Sequence, residues 1–115
     1  MSRNLTKQEI IRGKEEIDSV FVDGRRYYTS CFKIIIAPGK KEFSRLLVIP
    51  IKHYGNAVHR NKIRRQVKEI WRNLKTNITV PTDFVFIVYP KKVFTYEEME
   101  NSIISLLSKQ NILRN

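Results

Sequence analysis

Apolar residues recur at every third or fourth position from Ile63 to Leu74. This spacing places them on one face of an α-helix. Gly55-Asn56 precedes them, and both residue types tolerate the positive φ of a tight turn. The pattern therefore predicts a turn followed by a helix over Ala57–Leu74 that buries one stripe of side chains. Trp71 falls on that stripe, so we expect it in the core rather than as a stacking platform for a ligand.

Two further helices are predicted. A weaker apolar stripe covers Lys7–Val22, but Gly13 interrupts it and divides it into a leading segment and a helix from Lys14 to Val22. Asp23-Gly24 ends that helix. Thr95 is a favourable N-cap for a last helix that runs to about Ser108.

Three segments rich in β-branched and aromatic residues predict strands: Tyr27–Ala37, Phe43–Ile51 and Asp83–Tyr89. The short loop at Pro38-Gly39 predicts that the first two strands pair antiparallel. Pro50 lacks an N–H donor, which places the end of the second strand at a sheet edge or bulge. The third strand is almost entirely apolar, so we expect it at the centre of the sheet, covered on both faces.

The order of these elements predicts a single α+β domain over residues 1–115, with residues 1–6 as a flexible end. The architecture is a two-layer α/β sandwich with a mixed sheet. Its element order is α-β-β-(β)-α-β-α, where the bracketed strand is optional. The second and third strands flank Ala57–Leu74 and form a candidate βαβ unit, for which a right-handed crossover is the default.

The distribution of charge along the chain predicts the class of its binding partner. The chain has 22 Lys and Arg against 11 Asp and Glu, a net charge of +11. Between Lys52 and Lys75 there are eight cations and one acid, Glu69. A solvated surface helix rarely carries such an imbalance, so the predicted partner is a nucleic acid and the domain an RNA-binding one. A membrane surface is the weaker alternative, because no helix presents a large apolar anchor face.

The sequence offers little for metal or protein-based catalysis. Cys31 is alone, which excludes an internal disulfide and fits a cytoplasmic location. His53 and His59 are not at a zinc-ligand spacing, and the carboxylates do not converge in the sequence as a two-metal nuclease requires. We therefore predict no catalytic residue and no protein metal site. The apolar runs are also too short to span a membrane.

The predicted first strand has two faces of different character. Lys33 interrupts the second face, which with Phe21 is a candidate groove for single-stranded nucleic acid. Spacing alone favours ordinary packing of a helix on the sheet instead. The two faces are Phe32, Ile34 and Ile36 on one side, and Cys31, Lys33 and Ile35 on the other.

Residues 55–65, GNAVHRNKIRR, closely resemble the signature helix of the protein subunit of bacterial ribonuclease P. The similarity extends over nearly the whole chain. It includes residues 14–21 with the turn at Gly24-Arg25, the strand over Asp83–Val88, and the helix start at residues 95–98.

The resemblance implies a fold with a left-handed βαβ crossover instead of the default hand. It implies a holoenzyme in which a catalytic RNA subunit, with Mg²⁺, hydrolyses precursor tRNA to give the mature 5′ end. The protein alone is not catalytic, and no protein partner is evident. Its signature helix lies against the RNA subunit, and a central cleft binds the single-stranded 5′ leader.

Carried over by position, the resemblance assigns two sets of residues. Lys62 stands where the family usually has Arg, Ile17 where it has Phe, and Ile35 where an aromatic residue is common. The residues implied to face the RNA subunit are Arg60, Asn61, Lys62, Arg64, Arg65 and Lys68. The residues implied to line the leader cleft are Ile17, Phe21, Lys33, Ile35 and Ile87.

Three other functions remain open on the residues alone. A general RNA-binding or ribosomal-type protein would use the same basic helix. A DNA-binding regulator is weaker, because no short helix precedes Ala57–Leu74 to form a helix-turn-helix pair. A protein-only nuclease is weaker still, since it needs converging carboxylates.

Overall fold

The computed structural model describes residues 7–51, 55–89 and 94–113. A four-stranded mixed sheet is flanked by three helices, which confirms the predicted fold class. The predicted flexible end, residues 1–6, lies outside the described residues. The elements in chain order are a 3₁₀ turn (Lys7–Glu9), α1 (Lys14–Asp23), β1 (Arg25–Tyr28), β2 (Phe32–Pro38), β3 (Arg45–Pro50), α2 (Ala57–Leu74), a second 3₁₀ turn (Lys75–Asn77), β4 (Thr82–Val88) and α3 (Tyr96–Lys109).

The strands lie in the order β1-β2-β4-β3. β4 pairs antiparallel with β2 and parallel with β3. The prediction of a central third strand is confirmed, because β4 has a neighbour on each side and buries nearly all of its side chains. The parallel pair β3 and β4 is joined through α2, which confirms the βαβ unit. The hand of this crossover stays a prediction.

The sequence-based pairing of the first two strands was wrong. β3 does not pair with β2, because the more apolar β4 lies between them. α2 supplies the long connection that a parallel β3–β4 pair requires, so a hairpin at Pro38-Gly39 is not needed. β3 is instead one of the two edge strands, so the missing N–H of Pro50 does not disrupt pairing in the middle of the sheet.

The predicted strand Tyr27–Ala37 is two strands. The Thr29 hydroxyl oxygen accepts hydrogen bonds from the backbone N–H groups of Cys31 and Phe32, at 3.1 and 2.9 Å. The Thr29 N–H donates to the Phe32 carbonyl at 2.8 Å. These side-chain-to-backbone hydrogen bonds stabilise a turn at Thr29, although the segment has a high β propensity. The turn divides the segment into β1 and β2, which form a hairpin. The extra strand is the one that the bracketed element order allowed.

The core has two parts, one on each face of the sheet. α2 and α3 cover the first face, where Phe32, Phe84 and Phe86 are at most 2% exposed. α1 covers part of the second face over Ile35 and Val85. Among the described residues, none of the helices combines the length and apolar character that a membrane span requires.

Cys31 was assigned to the wrong face. It joins the cluster beneath α2 and α3, and its Sγ lies 4.0 Å from the Glu98 carbonyl oxygen. Cys31 precedes β2, so the alternation of a strand does not apply to it. Lys33 and Ile35, inside β2, do share one face of the strand as predicted, and Ile35 packs with residues of α1.

A buried ion pair joins β3 to β4 on the second face, beside α1. Arg45 Nε and Nη2 donate to the two carboxylate oxygens of Asp83 at 3.1 and 2.8 Å. Both side chains are at most 5% exposed, and their hydrogen bonds raise the pKa of Arg45. Glu16 of α1 adds a third charge, with its Oε2 3.5 Å from Arg45 Nη2. This cluster links α1 to β3 and β4.

We expect Asp83→Asn to lower the free energy of unfolding by about 3–5 kcal/mol, because Arg45 would remain buried without its counter-charge. Glu16→Gln is the matched control: Glu16 is partly exposed, so we expect a loss below about 1 kcal/mol. Urea denaturation of each variant measures both values. Equal losses for the two variants would contradict the assignment of Asp83 as the principal partner of Arg45.

Candidate nucleic-acid interface

The start of α2 is fixed by two residues with different backbone roles. Gly55 has a φ of 119°, a conformation that side chains rarely adopt, and a Cβ there would lie 3.0 Å from His59 Nδ1. Asn56 is the N-cap, and its Oδ1 accepts a hydrogen bond from the His59 N–H at 3.0 Å. The predicted helix start is therefore confirmed, and of the two residues expected to tolerate a positive φ, Gly55 adopts it whereas Asn56 is extended.

The apolar stripe of α2 packs on the sheet. Ile63, Val67, Ile70 and Trp71 are at most 5% exposed and belong to the cluster with β3 and β4. Trp71 is a core residue, as predicted. Since this stripe fixes the rotation of the helix about its axis, it also determines which residues face outward.

The six residues predicted to contact RNA lie along the first three turns of α2. Asn61, Lys62 and Arg65 are exposed, whereas Arg60, Arg64 and Lys68 are half-buried. We call these six residues the basic face. Their structure is compatible with the predicted contact, but contact with RNA stays a prediction.

The cations of the basic face differ from those at the end of α2 in their pairing with carboxylates. Within the described part of the chain, none of its five Lys and Arg residues forms an ion pair with a carboxylate. The end of the helix is different: Arg72 pairs with Glu69 at 2.5 Å, and Lys75 with Glu9 at 3.0 Å. Uncompensated charge is thus concentrated at the N-terminal part of α2.

Two contacts within the basic face affect its side chains. Asn61 Oδ1 accepts a hydrogen bond from Arg64 Nη1 at 3.2 Å, which restrains that guanidinium group. Arg60 Nε is buried and has no hydrogen-bond partner among the described residues. A buried donor without a partner is uncommon, and it is consistent with an acceptor supplied from outside the chain.

The residues of the predicted leader cleft lie on the opposite face of the sheet. Register places Tyr28, Lys33, Ile87 and Ile49 side by side across the four strands. We call these four residues the open row. Lys33, Ile87 and Ile49 are half-buried and Tyr28 is 69% exposed, because α1 covers the neighbouring row instead.

α1 forms the wall of this cleft. Ile17 and Phe21 are half-buried and pack on the second-face cluster. Ile35 is 0% exposed beneath α1, so its side chain supports the cleft from below and offers no surface to a ligand. Gly24 permits the close approach of α1 to the sheet, since a Cβ there would lie 2.5 Å from Ile35 Cγ2.

Sequence reasoning missed Tyr28. It was placed inside one long strand, where its position relative to Lys33 was undefined. The hairpin makes Tyr28 the direct neighbour of Lys33, with Lys33 Nζ 5.8 Å from the Tyr28 ring centroid. Thr29-Ser30 between two aromatic-rich segments was the only signal of this turn.

The described residues contain no group of three or more His, Cys, Asp or Glu side chains that is placed to hold a metal ion. The candidate site residues named above are cations, an amide, aromatic rings and aliphatic side chains. Such groups bind phosphates and bases.

Comparison with known proteins agrees with this arrangement. The family model described as Ribonuclease P matches residues 5–111. The ribonuclease P protein component of Petrotoga mobilis is 36% identical over 110 residues, which cover 90% of this chain and 92% of that protein.

Solved structures show the same fold. A Staphylococcus aureus RNase P protein mutant with defective mRNA degradation activity is 25% identical, with a TM-score of 0.82 over 93% of this chain and 92% of that one. The RNase P protein from Thermotoga maritima is 24% identical, with a TM-score of 0.77 over 88% and 96% of the two chains.

We expect Asn56→Ala to lower the free energy of unfolding by about 1 kcal/mol, because the His59 N–H loses its capping acceptor. Asn56→Asp keeps the acceptor and serves as the control. Thermal unfolding monitored by circular dichroism compares the two variants. If both lose stability equally, the side chain of Asn56 does not act as the cap.

Proposed function

The chain belongs to the ribonuclease P protein family, and from this premise we propose that it assembles with a catalytic RNA subunit and binds the 5′ leader of precursor tRNA. The RNA subunit would carry out the endonucleolytic step that gives the mature 5′ end. The protein would contribute affinity and position. Its two surfaces, the basic face and the cleft, would serve the two RNA partners separately.

The observation that carries this proposal is the charge of the basic face, whose cations lack carboxylate partners in the part of the chain that the structure describes. An Arg or Lys already paired with a carboxylate must break that pair to bind a phosphate, whereas these five cations have no such pair within the described residues. Guanidinium groups match phosphate oxygens in a planar, two-point geometry. Arg60 also lies in the first turn of α2, where the helix dipole favours negative charge such as a phosphate.

The cleft suits a single strand better than a duplex. α1 and the sheet confine it on two sides, and its exposed surface combines apolar side chains with Lys33. Unpaired nucleotides bind such surfaces through their bases and backbone together. Phe21 at the edge of α1 is the aromatic residue of the predicted cleft set, so we assign it a contact with the leader.

Mg²⁺ enters the proposal as an ion held by the RNA subunit and the substrate. The residues that the structure describes contain no cluster of three or more His, Cys, Asp or Glu placed to hold it. The chain's own contribution is to neutralise phosphates that would otherwise repel each other when two RNA molecules meet.

A general RNA-binding protein is the alternative that uses the same basic face. Reconstitution distinguishes the two. We expect the protein to stimulate precursor cleavage by the catalytic RNA subunit at low Mg²⁺, where RNA alone is limited by charge repulsion. RNA binding without any stimulation would favour the alternative.

We expect Arg64→Ala to weaken binding of the catalytic RNA subunit and to reduce the slope of log K against log salt by about 0.7–0.9, the value for one lost phosphate contact. Arg60→Ala should behave in the same way. Arg72→Ala is the matched control on the same helix, because its guanidinium group is already paired with Glu69. Filter binding over a salt series measures the slopes, and unchanged slopes in both test variants would argue against the basic face.

We expect Phe21→Ala to reduce the holoenzyme's affinity for precursor tRNA by more than its affinity for mature tRNA, because only the precursor has a leader. The loss should be about 5-fold or more, as for one lost stacking contact. Val22→Ala is the control, since Val22 is adjacent on α1 but 81% exposed. An equal loss for both tRNA forms would place Phe21 outside the leader site.

A further inference from the structure

An aromatic cavity lies at one end of the sheet, where β1 turns into β2 and β4 ends. Its volume is about 430 Å³, and its lining includes the rings of Tyr28, Tyr89 and Phe94 together with Thr29 and Cys31. Sites for small ligands typically have volumes of about 300–1,000 Å³. The cavity is therefore large enough for one planar group of nucleobase size.

Tyr28 lies where the cavity, whose residues Cys31 and Phe32 belong to the first-face cluster, meets the open row on the opposite face. It lines the cavity and is also the first member of the open row, beside Lys33. Its ring is 69% exposed, and that of Tyr89 is 37% exposed. Single exposed apolar side chains are ordinary, but two exposed rings that share a cavity next to a cation are a less common arrangement.

The wall of the cavity is held in place by the β1–β2 turn. Thr29 adjoins Tyr28 and is fixed by hydrogen bonds to Cys31 and Phe32 at 2.9–3.1 Å. Phe32 is 2% exposed and anchors the turn in the core. The backbone next to Tyr28 is thus ordered before a ligand arrives, so binding does not have to order the turn.

We propose that this cavity binds one unpaired nucleobase of the 5′ leader, with Tyr28 as the stacking surface and Lys33 beside it to contact a neighbouring phosphate. The inference rests on the proposed function and extends it by one subsite. Within the open row, the other two members, Ile87 and Ile49, are aliphatic and offer no ring to a base. Tyr28 supplies that ring, and stacking on tyrosine accepts any base.

The first test uses the reconstituted holoenzyme and compares the dissociation constants for precursor and mature tRNA. We expect Tyr28→Ala to weaken precursor binding about 5- to 100-fold, the range for one lost base–aromatic stack, and to leave mature tRNA unaffected. Tyr28→Trp should retain the wild-type preference. Phe43→Ala is the control, because Phe43 is 37% exposed but lines a different cavity.

The second test leaves the protein unchanged and removes single bases from the leader. One abasic position should weaken binding to the wild-type holoenzyme by the same factor as Tyr28→Ala. That abasic precursor should then bind the Tyr28→Ala holoenzyme with no further loss. Additive losses at every leader position would overturn the subsite.

The outcomes separate the two proposals. If the wild-type holoenzyme prefers precursor over mature tRNA and Tyr28→Ala keeps that preference, the subsite is wrong and the leader cleft stands. If the wild-type holoenzyme shows no preference, leader binding itself is wrong, and the subsite is overturned with it.

Discussion

The burial of β4 on both faces is the constraint on which the other elements depend. Phe84 and Phe86 face one helical layer and Val85 the other, and all three are 0% exposed. A strand that is apolar on both sides must have cover on both sides and a neighbour at each edge. β2 and β3 provide the neighbours, α2 and α3 cover one face, and α1 covers part of the other.

This arrangement separates the two candidate binding surfaces and still keeps them close. α2 and α1 lie on opposite faces of the sheet, so the basic face and the cleft do not compete for the same side chains. Because β3 and β4 are parallel, both end beside the open row. Only residues 51–56 separate β3 from α2, a reach of about 20 Å even when fully extended. The cations at the start of α2 are thus tied to the same end of the sheet as the cleft.

Local patterns predicted most of this fold, and contacts between distant segments account for what they missed. The bounds of α2 followed from its apolar spacing and from Gly55-Asn56, since both are signals within a few residues. The central place of β4 followed from its composition. The pairing of β3 did not, because it depends on competition between strands, which a single segment does not encode. The β1–β2 hairpin depended on one hydroxyl group.

The functional and structural residues also differ in whether the sequence could predict them. The basic face was predictable because its members repeat along one helix, and the resemblance named each of them. The ion pair of Arg45 with Asp83 joins residues on two strands, 38 positions apart, and neither has a local signature. Tyr28 became a candidate only when the register placed it beside Lys33. Burial of Ile35 likewise depends on how closely α1 approaches the sheet at Gly24.

The basic face, whose cations have no carboxylate partner among the described residues, also affects the folding equilibrium. Arg60, Arg64 and Lys68 follow one another at intervals of four residues, a spacing at which like charges repel and destabilise a helix. In the isolated chain, which has a net charge of +11, this repulsion lowers the stability of the folded state. Any polyanion that binds the folded form better than the unfolded one shifts the equilibrium toward the native state. The conformational stability of this protein therefore depends on the polyanions that bind it as well as on its own contacts.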